Sequence, residues 1–190
     1  DMHWMPGSYH SEKSDQGDLS AGALYDSGGI YLMTNGALGP FNDGAAYSLI
    51  NFLKTKIPDF KPKNILDLGC TVGHNTQPFK EFWPSAKVTG IDIGAPVLRY
   101  AHARSSKMGY SIDYCQQNAE KTDFVDSNFD LVVSTMFLHE TSKKAIKNIF
   151  KESFRILKSG GLMVHVEQPP FSFFNDPYEQ YIRDWDTHNN

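Results

Sequence analysis

The sequence predicts an α/β fold: a Rossmann-like, doubly wound and mostly parallel sheet with helices on both faces. Three observations carry this. From residue 42 onward short apolar runs alternate with helix-period stretches, a pattern of parallel strands joined by right-handed crossovers. The run Ile65, Leu66, Leu68 meets Gly69 and Gly73, so a buried strand passes through a sharp turn into a helix. The next apolar run ends in Asp92, 19 positions after Gly73, close to the spacing of about 20 at which a carboxylate grips ribose hydroxyls in nucleotide-binding folds.

Residues 1–41 show little periodicity and many Gly, Ser and aromatic residues, and are expected to form an arm or lid on a second unit, residues 42–190. Trp4, Tyr9, Tyr25 and Tyr31, with Met2 and Met5, are too many large apolar groups for a solvated tail, so part of the arm should pack on the domain. Tyr25 and Tyr31 are candidate contacts to a bound cation or substrate through their ring faces. His3 and His10 have no metal-ligand spacing, and no metal is expected.

Asn42 or Asp43 should cap a helix through Ile57 whose buried face is Ala46, Leu49, Ile50 and Leu53. The helix after the glycine turn starts near Asn75 and stops before Pro84, and another spans Ala95 to Met108 ahead of Gly109. A third strand covers residues 112–117, and a fourth starts at Phe129 and runs through Ser134. Thr141 or Ser142 should cap a helix with Ala145, Ile146, Ile149, Phe150 and Phe154 on its apolar face, before a fifth strand, Leu162 to Val166. Tyr178, Tyr181, Ile182 and Trp185 share one face of a last helix.

The turn Asp67-Leu68-Gly69-Cys70-Thr71-Val72-Gly73 lacks the third glycine of a G-x-G-x-x-G dinucleotide loop, and its acid would repel a phosphate while suiting an ammonium or sulfonium. It resembles the first motif of the class I S-adenosylmethionine-dependent methyltransferases, D-x-G-C-G-x-G, departing at Thr71 where glycine is more common. Ile91-Asp92-Ile93, Asn118-Ala119-Glu120, the fourth strand followed by Leu138-His139-Glu140, and Leu157-Lys158-Ser159-Gly160-Gly161 resemble that family's later motifs, in order, across residues 64–168. The resemblance implies a cofactor, S-adenosyl-L-methionine, bound by Asp67, Gly69, Cys70, Thr71, Gly73, Asp92, Ile93, Asn118, Ala119, Ser134 and Thr135. It also implies methyl transfer to a small-molecule acceptor. His139 is the expected base for an acceptor that must lose a proton, and Glu167, with Gln168, is an expected substrate contact at the rim. His165 points inward on its strand and is expected in the core.

Two readings of other classes stand beside this one: a NAD-type oxidoreductase module, and a non-catalytic domain that keeps the fold for binding within a larger assembly. The chain has 190 residues, 40% hydrophobic and 21% charged, with a net charge of −4, which argues against a broad basic surface for nucleic acid. After the fourth strand the sequence reads Ser134-Thr135-Met136-Phe137, with no N/D-P-P-Y/F motif for base methylation. Two cysteines and no long apolar run fit a cytoplasmic protein that is not inserted in a membrane. The family's sheet ends in an antiparallel hairpin, for which the residues after 168 are too few. A sheet completed by further C-terminal sequence, or by a second copy, is therefore expected.

Overall fold

The computed structural model describes residue 12 and residues 17–29, 35–167, 175–178, 180 and 181. Five strands, β1 (Asn64–Leu68), β2 (Lys87–Asp92), β3 (Asp113–Gln116), β4 (Phe129–Thr135) and β5 (Leu157–Val166), form one sheet in the order β3-β2-β1-β4-β5. Every pairing is parallel, and the strand order reverses between β1 and β4. In such sheets the crevice at that reversal, beyond the carboxyl ends of the strands, is where ligands bind.

Side chains alternate across the sheet, which divides the core in two. Ile65, Val88, Leu131 and Val133 face α2 (Gly44–Lys56) and α3 (Thr76–Phe82), which contribute Ala46, Leu49, Ile50, Leu53 and Phe79. Leu66, Leu68, Ile91 and Val132 face α5 (Lys143–Ile156) through Ile149 and Ile156. α4 (Ala95–Lys107) joins β2 to β3, with Pro96 in its first turn. The start of α2 is satisfied from another element: Asp43 makes no side-chain cap, and the Ala46 amide donates to Asn75 Oδ1 at 3.0 Å. Ser142 does cap α5, accepting from the Ala145 amide.

Two elements differ from expectation. Phe150 and Phe154 are 41% and 81% exposed, because the buried stripe of α5 runs through Ile149, Ser153 and Ile156. Glu152 is also buried on that helix, where it accepts from the Thr122 hydroxyl and pairs with Arg155. The fifth strand begins at Leu157, five positions early: Phe129 pairs with Leu157 and Leu131 with Leu162, so residues 158–161 form a bulge around Gly160 at φ +79°. Tyr178 and Tyr181 are 68% and 65% exposed. Met2, Trp4, Met5, Tyr9, Tyr31, Gln168, Ile182 and Trp185 lie outside the described residues.

In the arm, α1 (Ser20–Leu24) continues into a π-turn, Tyr25–Gly29, and lies on α4. Gly22 makes that approach possible, since any side chain there would overlap the Tyr100 ring.

Candidate functional site

The expected site residues collect at the carboxyl ends of the strands, but by different means. Asp67, the fourth residue of β1, is 2% exposed and accepts from the Thr76 hydroxyl at 2.6 Å. Burial, opposed by that bond and reinforced by Asp92, pushes its carboxyl up to about 7. It braces the turn from beneath, at a position expected to contact the cofactor. Gly69 and Gly73 take φ of +66° and +79°, where a side chain is strained. A methyl at Gly69 would overlap the Phe137 ring, and one at Gly73 would overlap the Tyr114 hydroxyl. Thr71 holds φ +45° without being glycine. Cys70 is buried, donating its amide to Ile91 O, with its thiol raised by burial and by Asp92 and Asp67.

Asp92 ends β2 at 8% exposure and is gripped by backbone: Oδ2 accepts from the Thr71 amide at 3.1 Å, Oδ1 from the Gly94 amide at 2.8 Å. One carboxylate thus joins the glycine turn to the start of α4. Ile93 beside it is 52% exposed, an apolar shelf at the strand exit. Asn118 is exposed and accepts from the Glu120 amide, turning the chain after β3, and Ala119 packs into the core below. Ser134 is wholly buried and hydrogen-bonded to His165 Nδ1 at 2.7 Å, in a layer where His165 lies 5.3 Å from the Phe150 ring. Thr135, the last residue of β4, has a buried hydroxyl with no hydrogen-bond partner among the described residues.

Beyond β4 stands a charged trio. His139 Nδ1 lies 2.7 Å from Glu167 Oε2 and Nε2 lies 3.3 Å from Glu140 Oε1. Glu140 and Glu167 together push the imidazole up to about 9, against partial burial, so His139 is a cation at neutral pH and has no lone pair with which to accept a proton. The residue expected as a base thus stands between two carboxylates. Glu167 Oε1 also accepts from the Phe137 and Leu138 amides at 2.9 and 2.6 Å, and its carboxyl is lowered despite burial by His139 and these two amides. It holds the turn and His139 at the rim where a substrate contact is expected.

The arm closes over the turn. Tyr25 stacks on His74, with ring centroids 6.0 Å apart, and hydrogen-bonds the Thr71 hydroxyl; burial, opposed by that bond, pushes its phenol up to about 12. Asp26 binds three groups, His74 Nε2 at 2.5 Å, the Tyr100 hydroxyl at 2.7 Å and Arg104 Nε at 3.3 Å. These hold its carboxyl at about 2 despite burial. Asp26, His74, Tyr100 and Arg104 were not singled out in the sequence. A partial signal exists, because Tyr100 and Arg104 stand four apart on one face of α4.

The group of residues fits a cationic, ribose-bearing cofactor: an acid set between a crowded glycine turn and an apolar shelf, with further carboxylates nearby. Among the described residues, no group of three or more His, Cys, Asp or Glu is placed to hold a metal, and no helix is long and apolar enough to cross a membrane.

Residues 65–161 match a family model described as a methyltransferase domain. The chain is 31% identical over 132 residues to the demethylmenaquinone methyltransferase of Lactococcus lactis, covering 67% of this chain and 52% of that one. It is 40% identical over 52 residues to a trans-aconitate 2-methyltransferase of Rhodopseudomonas palustris, covering 27% of this chain and 20% of that one. It thus spans about half the length, or less, of these curated relatives. In fold it matches the crystal structure of a protein described as an S-adenosyl-L-methionine-dependent methyltransferase from Methanococcus maripaludis, with TM-score 0.63 and 17% identity over 93% of this chain and 73% of that one. With its matched turn at the reversal of a β3-β2-β1-β4-β5 sheet, the chain belongs to the class I S-adenosylmethionine-dependent methyltransferase family.

Proposed function

We propose that this chain binds S-adenosylmethionine at the carboxyl ends of β1 and β2 and methylates a small-molecule acceptor held beside β4 and β5. The carrying observation is Asp92, an acid fixed by the Thr71 and Gly94 amides beside the exposed Ile93. Asp92 would take the ribose hydroxyls, Ile93 the adenine face, and Asn118 with Ala119 the adenine edge. Gly69, Cys70, Thr71 and Gly73 would supply backbone to the amino-acid end, with Thr135 as a polar group beyond the turn. Bound S-adenosylmethionine supplies an electrophilic methyl on a sulfonium, so the protein's own work is alignment and exclusion of water.

Tyr25, and by extension the 1–41 arm with Tyr31, would act as the lid over residues 42–190. Relatives named for acceptors as different as demethylmenaquinone and trans-aconitate both match this chain, which supports a cofactor half held in common and an acceptor half that varies. We further propose a cytoplasmic setting, in keeping with two unpaired cysteines. The outer edge of β5, which pairs only with β4 among the described residues, would receive further C-terminal sequence or a second copy, two cases that light scattering separates. Thermal unfolding tests the cofactor: S-adenosylhomocysteine should raise the melting temperature by mass action, about 2.7 kcal/mol at a hundredfold excess over its Kd, and NAD should not. A rise with NAD alone would transfer the chain to the oxidoreductase reading.

A further inference from the structure

We propose that His139 is an anion-binding group of the acceptor pocket, whose Nε2–H takes an anionic oxygen of the acceptor in the place that Glu140 fills in this structure. The inference rests on the methyltransferase reading of the site and gives the acceptor a chemical class: an enolate, phenolate or carboxylate.

The two carboxylates flanking His139 are not equivalent. Glu167 is tied at three points, to Nδ1 of His139 at 2.7 Å and to the Phe137 and Leu138 amides at 2.9 and 2.6 Å. Those amides belong to the turn that carries His139 itself, so Glu167 fixes the ring's orientation and keeps Nδ1 protonated. Glu140 lies in the same 3-10 turn, Leu138–Glu140, and reaches Nε2 only at 3.3 Å, with 26% of its side chain exposed. Of the two contacts the one at Nε2 is the longer, and it is the one an acceptor oxygen would replace. A ligand oxygen that displaces Glu140 meets a fixed N–H on a charged ring, and an anionic oxygen makes that bond charge-assisted.

The surroundings preserve the ring's charge. Facing the trio are Tyr25, whose phenol feels Glu140, and His165, which feels Glu167 and is itself held below its ordinary range by burial. Neither supplies a competing cation at neutral pH. His139, raised to about 9, is therefore the positive group of this corner. The chemistry balances without a proton transfer. The acceptor anion's electron pair forms the new bond to the methyl carbon, the pair of the broken S–C bond stays on sulfur, and the negative and positive charges cancel.

The test follows the His139 imidazole by NMR titration in the whole chain, without the unidentified acceptor. In Glu140→Ala the ring should titrate lower by about 1 pH unit or more. High acetate should then restore the higher value, while acetamide or chloride at equal ionic strength should not. Glu140→Gln, which keeps the shape, should lower the titration as well and serves if the alanine variant does not fold. An unchanged His139 titration in both variants, or acetate acting no more than chloride, would overturn the proposal. S-adenosylhomocysteine binding is read separately by calorimetry, so failure of the cofactor reading cannot be mistaken for failure of this one.

Discussion

The β1–β2 half of the site holds its key acid with backbone, whereas the β4–β5 half holds its key cation with side chains. Asp92 is fixed by the Thr71 and Gly94 amides, in a turn whose glycines leave no room for a methyl. His139 is fixed by Glu167, which arrives from 28 positions away, and by its neighbour Glu140. A backbone-built half serves any protein that binds the same cofactor, and a side-chain-built half can be exchanged acceptor by acceptor. The difference also fixes which changes should be severe.

The largest effect is expected at Gly73. Gly73→Ala meets both a left-handed φ and the Tyr114 hydroxyl, and the two together should cost about 3 kcal/mol or more of stability by denaturant unfolding. Gly109→Ala has φ +82° but open space around it, so it should cost only about 1–2 kcal/mol. Equal losses at the two positions would mean that the turn is not sterically closed.

Next comes Asp92. Removing it strands the buried Gly94 amide and the part-buried Thr71 amide, and Asp92→Ala should lose about 1.5–3 kcal/mol of stability for a lost charge-assisted bond. The same loss should appear in hydrogen exchange as earlier opening of the Thr71 and Gly94 amides. Protection unchanged at both amides would detach the acid from the turn.

The glycine turn, the Asp92 spacing and the alternation of strands and helices were legible because each is a local pattern with a local cause. Phe154 was misplaced because counting apolar residues along α5 does not fix the phase of its buried stripe, and Glu152 shows that a paired acid can lie in that stripe. Ser134, which the resemblance implies at the cofactor, also hydrogen-bonds His165 from the neighbouring strand, a pairing no local pattern announces. The Asp26 latch joins residues 48 and 74 positions apart, and no spacing rule connects an arm aspartate to His74 and Tyr100. Sequence therefore spoke clearly for the backbone-built half and faintly for the half assembled from distant side chains.

Smaller effects concern pH. His139 has its folded-state pKa raised to about 9 from 6.5, so its trio contributes stability in full below about 6.5 and loses it as pH rises through 9. In His139→Gln that stretch of the stability curve should flatten. Asp26 runs the other way: held at about 2 against an ordinary 3.8, it contributes above about 4 and loses that contribution as pH falls toward 2. Asp26→Asn should remove that contribution and flatten the acid limb of the stability curve, and hydrogen exchange should quicken across residues 20–29. A rigid arm in that variant would show that the latch is not what holds the lid.

The division of the site into two halves is tested most directly by calorimetric titration of S-adenosylhomocysteine into the wild-type chain, Asp92→Asn and His139→Gln. The account predicts saturable binding to the wild type, a loss of about tenfold or more in Asp92→Asn, and affinity within about twofold of wild type in His139→Gln. No binding to the folded wild-type chain at millimolar ligand, or equal losses in the two variants, would contradict it.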